Sequence, residues 1–232
     1  MSNRFATASG PHRLRSASAT PGATGSGRFL LPMTVVNAAA QLLLAGAPVA
    51  MAALSASASE VSVFFVTLTA ARVPIVVALG GLLSRLLPMF ADTLARRGRS
   101  ALLRMAALVA AATVGVASIG AIAAEAAGGQ LIGAFFGSQF RPPGWLAAAV
   151  TAGVVLATGG LVLNQLLIAD GSERRLIVPW ASGLICAIAT MLIVAGSPSW
   201  RVGNAFVVGE LAALAALVTV ARFAARRPPP PP

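Results

Sequence analysis

The sequence predicts an all-α, polytopic membrane protein, a bundle of six transmembrane helices with both termini on the cytoplasmic side. Three observations carry this. The 232 residues are 57% hydrophobic and only 10% charged, with a mean hydropathy of +0.85, which leaves too few polar side chains to cover a water-facing surface. The apolar residues form long Ala/Leu/Val runs without the alternation, in segments of about ten residues, that a transmembrane barrel requires. The 17 basic residues, all arginine, face only 6 acids and fall mainly in the gaps between the runs. Since a helix needs about 20 apolar residues to cross roughly 30 Å of hydrocarbon, the chain has room for six such helices and short loops.

Taken in order, residues 1–29 are rich in Ser, Ala, Thr, Gly and Pro, carry four arginines and show no apolar period, the composition of a disordered basic tail. Residues 30–54 form the first predicted span. Ala56, Ser57 and Ala58 after it satisfy a small-residue cleavage pattern, but the run is longer than the 7–15 residues or so of a secretory signal core and is read as a span. The second span is predicted over 61–83, followed by a basic loop over 84–100. The third covers 101–124. The stretch from Glu125 to Gly144, rich in Gly and Phe, is too broken to cross and reads as an interfacial helix or packed loop. Spans four, five and six are predicted over 145–169, 176–196 and 200–221, separated by the turns at Asp170–Glu173 and Ser197–Ser199. Residues 223–232 form a tail of Arg and Pro, solvated and extended.

The arginines give the orientation, because short loops rich in Lys and Arg stay in the cytoplasm. With six spans, the N-terminal tail, the second loop, Arg174 with Arg175, and the C-terminal tail all lie on one side, while the other receives only Arg141 and Arg201. Trp145 and Trp200 then both begin helices at the outer interface, where aromatic residues concentrate, and Trp180 fits the inner one. The same sorting argues against a nucleic-acid partner, which would need the cations in one patch. The single Cys, Cys186, lies in an apolar run and the single His, His12, in the tail. No metal site, cofactor motif or catalytic constellation can be assembled from them, so neither an enzyme nor a cofactor is predicted.

Polar residues inside the spans are the functional candidates. Arg72 sits near the middle of the second span, where a charge costs about 2.5–3.5 kcal/mol on insertion scales. Glu210 holds the same depth in the sixth. Two readings are open: an Arg72–Glu210 pair that neutralises both, or separate roles, with Arg72 receiving an anionic ligand and Glu210 serving as a proton or cation site. Thr34, Asn37, Gln41 and Pro48 share one stripe of the first span, Ser62, Thr69 and Arg72 one of the second, and Thr151, Thr158 and Gln165, with Asn164 adjoining, one of the fourth. Such stripes are either helix–helix contacts worth about 0.6 kcal/mol each or the lining of a shared hydrophilic interior.

From about residue 33 to 183 the order of local patterns resembles the second half of a lipid-linked polysaccharide flippase of the multidrug/oligosaccharidyl-lipid/polysaccharide (MOP) superfamily. The patterns are Asn37 with Gln41 and Pro48, Ala71–Arg72–Val73–Pro74, and Leu87–Pro88 with Phe90–Ala91. They continue with Leu131–Ile132, Phe136–Gly137 and Phe140, Asn164–Gln165–Leu166–Leu167, and Trp180 with Gly183. The resemblance implies one six-helix half of an inner-membrane transporter that moves a lipid-linked glycan across the bilayer by alternating access. It implies that Arg72 binds the diphosphate headgroup; the polar stripes make Asn37, Gln41, Thr69, Thr158, Asn164 and Gln165 the candidates for lining the cavity, and Glu210, beyond the reach of the resemblance, is the coupling-ion candidate by its charge within a span. Because the first half of such a transporter is missing, a homodimer or a separately encoded first half is implied as partner. A scaffold for cell-envelope glycan assembly, or a truncated flippase remnant, is the alternative.

Overall fold

The computed structural model describes residues 34, 38–43, 45–81, 83–98 and 100–226. All regular structure among them is helical. Residues 38–43 are helical and lead through Gly46 into α1 (Ala47–Ala53), where Pro48 takes the first turn, a place at which its missing N–H costs no helix bond. Then follow α2 (Ala58–Gly80), α3 (Leu83–Arg97), α4 (Ser100–Ala123), a π-helical turn at Ala124–Gly128, and α5 (Gly129–Phe136). The chain ends with α6 (Gly144–Ala169), α7 (Ile177–Ile193) and α8 (Pro198–Ala225).

Five helices are long and apolar enough to cross a membrane: α2, the continuous run of α4 and α5, α6, α7 with the turn before it, and α8. They fall on the spans predicted at 61–83, 101–124, 145–169, 176–196 and 200–221, the second of them running on to Phe136, twelve residues past its predicted end. Of the span predicted at 30–54, residues 30–33, 35–37 and 44, Asn37 among them, lie outside the described residues, as do the N-terminal tail and residues 227–232.

The structure departs from the sequence reading in two places. The basic loop expected over 84–100 is a helix over most of its length, α3, whose strong amphipathicity the charge count concealed. The stretch after the third span is not a separate interfacial element either, since α4 runs on through the π-helical turn into α5 as one helical run of 37 residues. At 1.5 Å per residue such a run reaches about 55 Å, well beyond the roughly 30 Å of a hydrocarbon core. It stops at Gly137, whose φ of 104° is open to glycine and strained for other residues.

Two apolar clusters mark the two ends of the bundle. One gathers Phe64 and Leu68 of α2 with Met51, with Leu146 and Val150 from the start of α6, and with Val202 and Phe206 from the start of α8. The other joins Leu86 and Phe90 of α3 to Leu102 and Ala106 of α4, Leu166 of α6, Trp180 of α7, and Leu217 and Ala221 of α8. Helices α6 and α8 therefore start at one end and finish at the other, with α7 running back between them. The indoles of Trp145 and Trp200 meet edge to face at the first end, with ring centroids 5.0 Å apart. Arg201 Nε there donates to Met191 O at 2.9 Å, satisfying a carbonyl in the last turn of α7. The second end receives Arg104, Arg174, Arg175, Arg222 and Arg226 from α4, the α6–α7 turn and the end of α8. An edge-to-face pair is worth about 0.5–1.5 kcal/mol beyond its buried area. Trp200→Leu should therefore cost more stability in detergent with Trp145 present than with Trp145 already replaced, by about 0.5–1.5 kcal/mol, which a double-mutant cycle would measure.

Apolar side chains face outward along the helices. Phe135 is 83% exposed, Ile193 81%, Ile119 and Ile122 70%. In water this would be an aggregating surface, and against lipid tails it is the expected one.

Candidate functional site

Helices α6 and α8 form the centre of the bundle, and small residues let them approach. A Cβ built on Gly160 of α6 would stand 3.4 Å from the Trp180 ring and 3.7 Å from Leu217 of α8, and one on Gly153 would collide with the Phe206 ring. Glu210 lies on the same face of α8, between Phe206 and Leu217 in sequence, at the positions i+4 and i−7 that a helix stacks over one another. Its side chain is 1% exposed, and its Oε1 has no hydrogen-bond partner. Of the other buried polar side chains, Thr67 spends its hydroxyl on Val63 O of its own helix at 2.7 Å, and Ser172 donates to Asp170 Oδ2 at 2.7 Å. Thr113, the fourth, is 9% exposed, so among the described residues Glu210 Oε1 is the fully buried side-chain polar atom that the fold leaves without a partner.

Arg72 is half-buried on α2. It forms no ion pair and no hydrogen bond among the described residues, so the Arg72–Glu210 pair that the sequence left open does not form. The face of α2 that bears Phe64, Thr67, Leu68 and Ala71 is turned to the core, and Arg72 lies on its flank beside the outward-facing Phe65 and Val73. Thr69, three residues before Arg72, is half-buried on the same flank.

The remaining candidates separate. Gln41 is exposed, and Asn37 lies outside the described residues. Thr158 donates to Val154 O in its own helix at 2.8 Å. Asn164 Oδ1 accepts a hydrogen bond from Trp180 Nε1 at 3.2 Å, which ties α6 to α7. Gln165 is half-buried beside it in sequence. Among the described residues two cavities open between the helices, and of the polar residues that the sequence grouped into stripes Thr151 alone lines one. The larger, about 560 Å³, lies between α2, the α4–α5 run and α6, with Thr67 and Thr151 as its polar residues among Ala71, Pro74, Ile132 and Phe135. The smaller, about 390 Å³, is bounded by α1, α7 and α8 and is wholly apolar in its lining. Thr67 was missed because, in sequence, a Thr amid apolar residues reads as any other. Its place on the core face depends on the rotation of α2.

Comparison with known protein families, with curated proteins and with solved structures finds no match for this chain.

Proposed function

We propose that the chain is one half of a flippase-type transporter of the inner membrane, with six spans and both termini cytoplasmic, which moves a lipid-linked glycan across the bilayer with a second copy or a separate half. The observation that carries this is Arg72, a cation within an apolar helix long enough to cross a membrane, with no ion pair or hydrogen bond among the described residues. A charge within a span costs about 2.5–3.5 kcal/mol on insertion scales, and none of the described side chains offsets it. A diphosphate suits a guanidinium, which can offer two parallel donors to phosphate oxygens. Glu210 is the second unanswered group and the candidate for a coupling ion, and the patterns around Ala71–Arg72–Val73–Pro74 and Asn164–Gln165 resemble those of the MOP flippases.

Arg72→Ala is expected to weaken binding of a polyprenyl-diphosphate glycan in detergent about tenfold or more, the size of one charge-assisted hydrogen bond at roughly 1.5–3 kcal/mol. Arg72→Lys, which keeps the charge and loses the fork, should fall between. Equal binding by the wild type and Arg72→Ala would reject the site.

A second reading draws on Asn164. Its bond to Trp180 spends a stripe residue on holding two helices together, as in a membrane scaffold of envelope glycan assembly rather than a transporter. Crosslinking in membranes separates the two: a six-helix partner or self-association supports the transporter, and their absence supports the scaffold.

A further inference from the structure

Helix α3 has three faces, each of a different chemistry. Leu86 and Phe90 are buried in the core cluster, and Leu94 packs against it. At 3.6 residues per turn, Arg85, Met89, Asp92 and Arg96 fall along a second strip, all exposed, with the Arg96 guanidinium on the Asp92 carboxylate. Leu87, Ala91 and Ala95, spaced by four, make a third strip that is apolar and also exposed, with Leu87 at 37%. A helix beside a bundle at a membrane surface meets three media, namely protein, lipid and water, and these three strips match them. The helix joins the end of α2 to the start of α4, at the end of the bundle that also carries Arg104, Arg174, Arg175, Arg222 and Arg226. Asp92 engages Arg96, which leaves Arg85 and Arg97 without a carboxylate among the described residues.

We infer that α3 is an interfacial helix that seats this end of the protein in an anionic leaflet, with Leu87, Ala91 and Ala95 in the acyl boundary and the arginines against lipid phosphates. The occupant is a phospholipid of net negative charge, selected because the exposed charge at this end is overwhelmingly cationic. Each arginine near such a surface contributes about 1 kcal/mol of attraction. The inference rests on the membrane-spanning helices alone and stands whether or not the chain transports a glycan.

The test uses the full chain in vesicles of phosphatidylcholine with phosphatidylglycerol. In a Cys186→Ser background, which removes the one native cysteine, Ala91→Cys and Asp92→Cys are each labelled with an environment-sensitive fluorophore. The label at 91 should emit as in an apolar medium and be quenched by brominated acyl chains, while the label at 92 should emit as in water. A water-like label at 91 overturns the proposal. So does an apolar label at 91 that brominated lipid does not quench, since that would place a protein partner on the face. Brominated phosphatidylglycerol should quench the label at 91 at least twofold more than brominated phosphatidylcholine at equal mole fraction. Arg85→Gln with Arg97→Gln should bring that ratio toward one. Equal quenching by the two lipids in the chain with all its arginines would overturn the anionic preference and needs no arginine variant to be read.

Discussion

Replacing Gly209 by leucine should separate α7 from α8 and cost roughly 1–3 kcal/mol of bundle stability or more, the range of forced overpacking. A Cβ at Gly209 would stand 2.8 Å from Ala187 Cβ and 3.0 Å from the Gly183 carbonyl oxygen, and one at Gly183 would stand 2.8 Å from Gly209 O and 2.9 Å from Ala213 Cβ. The two helices thus meet backbone to backbone. In a membrane, where lipid tails are as apolar as the side chains, such close approach is a main source of helix association. A leucine has no rotamer that escapes a carbonyl oxygen, because the obstruction lies at Cβ itself. Gly115→Leu on α4 is the control, since a Cβ there meets nothing within 4 Å, and its effect should stay within about 0.5 kcal/mol. Thermal midpoints in detergent measure both. A Gly209→Leu variant as stable as Gly115→Leu would show that the α7–α8 contact contributes little.

Glu210→Met should have the opposite sign, stabilising the bundle. The methionine keeps much of the length of the glutamate, fills the same space between Phe206 and Leu217, and removes a carboxyl whose Oε1 has no partner at 1% exposure. A buried polar group left without a hydrogen bond costs about 1–3 kcal/mol by mutational measure, and relief of that order is the expected gain. Glu210→Gln retains a polar group of the same shape and should leave stability within about 0.5 kcal/mol of the wild type. If Glu210 takes a coupling ion, both variants abolish ion-driven transport in proteoliposomes, including the more stable one. Such a trade of stability for activity marks a group retained for function. If Glu210→Met lowers the midpoint, the carboxyl has a structural partner in the membrane and the coupling role loses its support.

Taken together, the two unanswered charges direct the functional reading more than the cavities do. Both cavities are apolar over nearly all their lining, and the polar residues that the sequence grouped into stripes are used in part elsewhere. Thr158 is bonded to its own helix and Asn164 to an indole on the next. That division could not be read in advance. A hydroxyl that bonds its own backbone and one that lines a ligand site have the same sequence signature, and the difference lies in what the neighbouring helix presents.

What the sequence determined alone was the all-helical class and the place of five apolar helices along the chain. Five of the predicted spans fall on helices long and apolar enough to cross, because a bilayer forces the backbone to bond within each segment and so makes hydropathy a local code. The contact between Trp145 and Trp200 likewise follows a pairing of helix starts that arginine counting had already required. The tertiary structure decided the rest: that the basic loop is a three-faced helix, that α4 continues into α5, and that Arg72 and Glu210 stay apart. The physical reason is rotation and register. In a chain so rich in Ala and Gly, many faces of a helix can approach a neighbour, and only the close contacts at Gly153, Gly160, Gly183 and Gly209 select which side chains meet and which remain unpaired.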